Sequence, residues 1–135
     1  MIDASIALAW SLSDERGEDA LNVLAHVESH GAIVPTLWTY EVANVLALLQ
    51  RRRRIDADRA ASIGAALDAL TIATVPPDAP RWRETTMSLA AQHALTAYDA
   101  AYLSLAIATN ARLATLDRAL HAAAMSRGME FPLTT

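Results

Sequence analysis

The chain has 135 residues, of which 53% are hydrophobic and 19% charged, and its formal net charge is −4; these values predict one packed domain over residues 1–135 and exclude a disordered chain. Cysteine is absent, which excludes disulfides and thiolate metal sites and fits a cytoplasmic protein. Every basic residue is an arginine, so Walker-type phosphate loops and Schiff-base enzymes, which need lysine, are excluded as well.

The apolar pattern predicts helices that alternate with short strands. In chain order, the predicted elements are a very short apolar start at 1–2, helices over 4–11 and 14–30, a strand over 32–35, helices over 37–54 and 56–70, a strand over 71–75, helices over 79–93 and 97–109, a strand over 112–116, a helix over 118–127 and a last short strand over 129–133. Such alternation predicts an α/β fold with a parallel sheet that is covered on both faces. No apolar run approaches the roughly 20 residues that cross a bilayer, so we expect no membrane partner, and we expect no signal peptide.

Four acidic residues stand alone at the edges of otherwise apolar or small-residue segments, namely Asp3, Glu41, Asp99 and Asp117. A carboxylate beside a core is costly unless something compensates its charge. In parallel sheets, sites form beyond the carboxyl ends of the strands, and both Asp3 and Asp117 follow predicted strands. If the fold brings the four together, they form the oxygen-rich ligand set that Mg²⁺ or Mn²⁺ prefers.

Each acid also has an ordinary structural interpretation. Asp3 and Asp117 could cap the helices that follow them, and Asp99 lies three residues after Thr96, which is capping-box spacing. Glu41 lies inside a predicted helix, where a glutamate is usually a solvated side chain. A capping role does not exclude a metal role, because the N-terminus of a helix also stabilises a carboxylate.

The order and spacing of the four acids resemble the PIN-domain family, and specifically the VapC-type toxins of bacterial toxin–antitoxin pairs. The resemblance extends over essentially the whole chain and implies a PIN-like three-layer α/β/α sandwich with a central parallel five-stranded sheet. The family-like stretches are 2–10, 35–46, 95–106 and 113–120.

Carried over position by position, the resemblance assigns the family's acidic quartet to Asp3, Glu41, Asp99 and Asp117. It implies a Mg²⁺- or Mn²⁺-dependent endoribonuclease in which Asp3 and Asp99 bind the metal directly, and Glu41 and Asp117 bind it directly or through water. Metal-activated water would cleave the RNA phosphodiester and leave a 5′-phosphate and a 3′-hydroxyl. The polar residues that would support the quartet are Ser5, Asn44 and Thr115.

The resemblance also implies partners, namely an RNA substrate, a second copy in a homodimer, and a cognate antitoxin protein that plugs the acidic site. The alternative is a non-catalytic PIN-like module that binds RNA or protein, and loss of one of the four acids would have favoured it. The acids alone do not distinguish RNA from DNA as the substrate.

The sequence leaves the interpretation of two further features undecided. Only Met1 and Ile2 precede Asp3, where the family has a longer central strand, so either this strand is unusually short or the numbered start lies inside the true reading frame. The arginine run 51–54 ends a predicted helix. It is either a solvated helix terminus with favourable dipole contacts, or a patch that binds RNA phosphates or an antitoxin.

Overall fold

The computed structural model describes residues 1–12, 17–77 and 80–133. Helices and short strands alternate along it, so the predicted α/β class is confirmed, and no helix in these ranges is long and apolar enough to span a bilayer. The elements are α1 (Ala4–Leu12), α2 (Glu18–His30), β1 (Ala32–Pro35), α3 (Leu37–Arg51), α4 (Ala57–Asp68), β2 (Ile72–Val75), α5 (Trp82–His93), α6 (Ala97–Thr109) and α7 (Arg118–Ser126).

Some helix ends differ from the prediction because a local stop acts earlier than the apolar pattern does. Helix α3 ends at Arg51 rather than at residue 54, since Arg53 adopts a left-handed conformation with φ 55°. Helix α4 begins at Ala57 because Asp56 caps it, and the Asp56 carboxylate accepts a hydrogen bond from Arg59 N at 2.7 Å. The predicted starts of two other helices, at 14–16 and 79, lie outside the described residues.

The described sheet has two parallel strands. Strand β1 pairs with β2 in a register that places Ala32 opposite Ile72 and Pro35 opposite Val75. Helices α3 and α4 lie between β1 and β2 in the chain and form the long crossover connection that parallel neighbours require.

Three other extended segments pair only through isolated bridges. Ile2 bridges Ala114, and Leu113 bridges Glu130, both in parallel. The strands predicted over 112–116 and 129–133 are therefore wrong in extent. The physical reason is the short first segment, because helix α1 begins at Ala4 and leaves the neighbouring segment few residues to pair with. The full five-stranded sheet stays a prediction.

The core lies between this central pairing and the helices that cover it. Its fully buried side chains include Ile2, Ile6, Leu103, Leu113 and Leu120. Because the extended segments run in parallel, their carboxyl ends meet at one edge, where helices α1, α3 and α7 begin directly. That edge is where the quartet is expected.

Candidate active site

Asp3 is a buried carboxylate, 6% exposed, at the junction of the first extended segment and helix α1. Its Oδ1 accepts hydrogen bonds from Ser5 Oγ at 2.6 Å and from Ile6 N at 3.1 Å. Its Oδ2 accepts a hydrogen bond from Thr115 Oγ1. The helix-capping interpretation of Asp3 therefore holds, and the same contacts fix both carboxylate oxygens in place.

Ser5 and Thr115 also connect Asp3 to the segment that carries Asp117. Ser5 Oγ accepts a hydrogen bond from Leu116 N at 3.0 Å, and Thr115 Oγ1 accepts one from Asp117 N at 3.0 Å. The position of Asp117 relative to Asp3 is thus set through two hydroxyl groups. Asp117 itself caps α7, because its Oδ1 accepts a hydrogen bond from the Leu120 backbone N–H at 2.8 Å.

Glu41 lies on α3 and is half-buried, not solvated as most mid-helix glutamates are. Its Oε2 accepts a hydrogen bond from the hydroxyl of Tyr102 on α6. Tyr102 is 1% exposed and was not among the residues predicted from the sequence. The available signal was a tyrosine on an apolar helix three residues after Asp99, because a buried phenol needs a hydrogen-bond partner.

Asp99 occupies the first turn of α6 in a capping-box arrangement with Thr96. Thr96 Oγ1 accepts a hydrogen bond from Asp99 N at 3.1 Å and donates one to Asp99 Oδ2 at 2.8 Å. The negative charge of Asp99 also contributes to the raised pKa of Glu41. The capping role of Asp99 is therefore observed, and its role as a metal ligand stays a prediction.

The electrostatics of the site are those of carboxylates held close together with partial burial. Burial raises the pKa of the Asp3 carboxyl, and the hydrogen bonds from Ser5 and Thr115 oppose that rise. Burial also raises the pKa of Glu41, with a further rise from the negative charges of Asp3 and Asp99, while the Tyr102 hydrogen bond opposes it. A cation among these acids would relieve both the burial cost and the repulsion.

Burial, and then the hydrogen bond and charge of Glu41, raise the pKa of Tyr102 far above its usual range. The phenol therefore stays protonated and remains a donor to Glu41 at all physiological pH values. That bond holds one oxygen of Glu41 in a fixed place on α3.

The donor set is chemically suited to Mg²⁺ or Mn²⁺, because carboxylate and hydroxyl oxygens are the ligands these ions prefer. As the side chains are placed, no three acidic, histidine or cysteine residues within the described ranges form a group that could hold a metal ion. The structure brings Asp3, Glu41 and Asp99 within electrostatic range and links Asp117 through Thr115. A metal bound by all four acids stays a prediction.

The third predicted supporting residue is placed differently from the other two. Asn44 is exposed on α3, and its side chain forms no hydrogen bond that joins it to the quartet in the described part of the chain. Its supporting role also stays a prediction.

Comparison with known proteins decides the family. The family model described as the PIN domain matches residues 1–125. The chain belongs to the PIN domain family. It is 33% identical to Ribonuclease VapC3 from Pyrobaculum aerophilum, in an alignment that covers 89% of this chain and 90% of that protein. The resemblance to VapC-type PIN domains is thereby confirmed.

A solved structure supports the fold of this PIN domain independently. The crystal structure of PAE2754 from Pyrobaculum aerophilum matches with a TM-score of 0.64, covering 90% of this chain and 82% of that one. The two sequences are 24% identical, so the likeness concerns the fold alone.

Proposed function

We propose that this PIN domain protein is an endoribonuclease toxin of the VapC type that depends on Mg²⁺ or Mn²⁺. The observation that carries the proposal is the arrangement of the quartet around Asp3. The negative charges of Asp3 and Asp99 both contribute to the raised pKa of Glu41. Thr115 forms hydrogen bonds with both Asp3 and Asp117. The likeness to Ribonuclease VapC3 adds support for RNA as the substrate class.

In this proposal Asp3 and Asp99 bind the cation directly, and Glu41 and Asp117 bind it directly or through water. When bound, the cation supplies a water of lowered pKa and offsets the charge that develops on the phosphodiester. A carboxylate has about four lone-pair sites, so Asp3 keeps capacity for a ligand beyond its three hydrogen bonds within the protein.

The residues around the quartet position its carboxylates. Ser5 and Thr115 keep the Asp3 carboxylate in one orientation, and Tyr102 donates to Oε2 of Glu41 and fixes that oxygen. No side chain is required as a nucleophile, because water attacks the phosphorus. The products would carry a 5′-phosphate and a 3′-hydroxyl.

The proposal extends to assembly and location. The family resemblance supports a homodimer, a cognate antitoxin that blocks the acidic site, and a cytoplasmic location. It also supports one domain over residues 1–135, with a central parallel sheet of five strands between helical layers.

A non-catalytic PIN-like module that binds RNA or protein is the second candidate. The absence of a metal-ready group of three acidic, histidine or cysteine side chains among the described residues favours it. The presence of all four acids of the quartet favours the enzyme.

A cleavage assay tests the proposal. Purified protein, freed of any antitoxin, is incubated with total RNA or with single-stranded DNA, in Mn²⁺ or in EDTA, beside the Asp99→Asn variant. We expect cleavage by the parent in Mn²⁺ alone, with 5′-phosphate product ends, and none by the variant. No cleavage by the parent would favour the binding module, and preferential cleavage of single-stranded DNA would replace RNA as the substrate.

A further inference from the structure

Three large side chains with apolar surface are exposed at positions next to the acidic quartet in the sequence. Tyr40 is 74% exposed, Tyr98 is 69% exposed and Leu116 is 48% exposed. Each one immediately precedes a member of the quartet in the sequence. We call these three residues the apolar rim.

The apolar rim comes from three different elements that meet at the site. Tyr40 belongs to α3 and Tyr98 to α6, and these two helices are joined at the site by the Tyr102–Glu41 hydrogen bond. Leu116 precedes α7, and its backbone N–H donates to Ser5 Oγ, the hydroxyl that also donates to Asp3. The backbone of each rim residue therefore lies next to an acid of the quartet.

Because the site is acidic, a nucleic acid held there needs contacts that do not depend on its phosphates. The quartet repels phosphates, and outside it the chain has 11 acidic and 11 basic residues, from totals of 15 and 11. The overall balance thus supplies no strongly basic surface as the main source of affinity. Stacking of bases on aromatic rings is independent of net charge and tolerates any base sequence.

The apolar rim is too small to form a stable protein interface by itself. An aromatic side chain buries about 150–250 Å² when fully covered, so the exposed parts of these three side chains offer about 480 Å² at most. A stable protein interface buries about 800 Å² on each partner.

We propose that Tyr40 and Tyr98 stack on bases of single-stranded RNA on the two sides of the scissile phosphate, and that Leu116 packs against a neighbouring base or sugar. This inference rests on the proposed ribonuclease function and adds how the substrate is held. It explains why two tyrosines stand exposed beside carboxylates while Tyr102, on the same helix as Tyr98, is buried.

The test measures RNA binding without turnover, in the common background Asp99→Asn. The probe is a fluorescent single-stranded RNA of about 12 nucleotides that spans a cleavage position mapped in the total-RNA assay, titrated with protein in Mn²⁺. Tyr40→Ala and Tyr98→Ala should each weaken binding about tenfold, and Tyr40→Phe and Tyr98→Phe should stay within about twofold of the background, since phenylalanine keeps the ring. Trp82→Ala, which removes a 43% exposed ring on α5, is the matched control and should change nothing.

A second RNA, abasic at the nucleotides that flank the cleavage position, separates stacking from a general structural effect. The alanine variants should bind this RNA as well as the background protein does. An equal loss on intact and abasic RNA would overturn the stacking assignment, as would full binding of intact RNA by both alanine variants.

Three further outcomes have distinct meanings. If the alanine variants keep RNA affinity but lower the sedimentation mass of the protein, the apolar rim is a surface for a second copy, and this inference is wrong. If the parent cleaves RNA while the variants bind as it does, the inference fails and the proposed function stands. If the parent neither cleaves nor binds RNA, both fail.

Discussion

The hydroxyl of buried Tyr102 donates a hydrogen bond to Glu41 Oε2, and this contact joins helix α6 to helix α3. Tyr102 lies three residues after Asp99, so one side chain fixes two members of the quartet relative to each other. A buried phenol paired with a partly buried carboxylate is costly to separate, because each would lose its partner.

Replacing Tyr102 with phenylalanine should show how much the hydrogen bond to Glu41 stabilises the fold. We expect Tyr102→Phe to lower the free energy of unfolding of the metal-free protein by about 1–3 kcal/mol, because the ring still packs but Glu41 loses its donor. The measurement is urea unfolding followed by circular dichroism. Tyr98→Phe is the matched control, since it removes an exposed hydroxyl, and it should change stability by less than about 0.5 kcal/mol.

A double-mutant cycle shows whether the effect runs through Glu41. The cycle combines Tyr102→Phe with Glu41→Gln, and the two changes should be non-additive by more than about 0.5 kcal/mol. Additive losses would show that Tyr102 stabilises the fold without acting on Glu41.

Asp117 and Asp56 offer a matched pair that separates capping from chemistry. Both are helix N-caps, with carboxylates that accept from Leu120 N at 2.8 Å and from Arg59 N at 2.7 Å. Asparagine caps about as well as aspartate, so Asp117→Asn and Asp56→Asn should each change stability by less than about 1 kcal/mol. Only Asp117→Asn should slow RNA cleavage, by at least tenfold in a timed gel assay. Equal activity of the two variants would remove Asp117 from the site.

The same contacts show how far the sequence predicts this site. The bounds of α6 were predicted correctly, because Thr96 caps its start and Asn110, with φ 51°, ends it through local conformation. The placement of Asp3 at a strand end followed from short-range pattern in the same way. The Tyr102–Glu41 contact joins residues 61 apart, and it depends on how two helices pack, which no local pattern encodes.

The strand extents were mispredicted for a related reason. A short stretch such as 112–116, with apolar residues at 113, 114 and 116, predicts a strand, but pairing also requires a partner of similar length. The partner segment here ends at helix α1 after a few residues. Local sequence does not report the length of a partner that lies more than 100 residues away.

The stability of the metal-free protein should depend on pH through the protonation of Glu41. The pKa of Glu41 is raised in the folded state, first by burial, so protonation favours folding. That contribution is complete below the unfolded pKa of about 4.3 and is lost as pH rises through the higher folded pKa. The stability of the parent minus that of Glu41→Gln should therefore fall in EDTA as the pH rises above the unfolded pKa of about 4.3. A difference that is flat or rises with pH would contradict the assigned environment.

A cleft beside the first extended segment predicts that added apolar residues stabilise the protein. The cleft holds about 440 Å³ and is lined in part by Met1, Ala32, Ile33 and Arg112. The Met1 amine donates a hydrogen bond to Arg112 O at 2.8 Å, and burial lowers its pKa because the charged form is poorly solvated there. A neutral amide at this position would avoid that cost.

Three valines fused before Met1 should turn this amine into an amide and fill the cleft with an extended segment. We expect the melting temperature to rise by about 3–4 °C for each kcal/mol gained. A Gly-Ser-Gly fusion, which also removes the charge, is the control and should give a smaller rise. Equal melting temperatures for the parent and the valine fusion would show that the short segment suffices.

The central claim is that four acids separated in the chain meet to hold a divalent cation. Crystals of the protein soaked in Mn²⁺ test it most directly, through the anomalous difference map recorded near the manganese edge. We predict a peak bound by carboxylate oxygens of Asp3 and Asp99, with Glu41 and Asp117 as direct or water-mediated ligands. A map with no peak at this edge of the sheet, or with a peak bound only by other acids, would contradict the account.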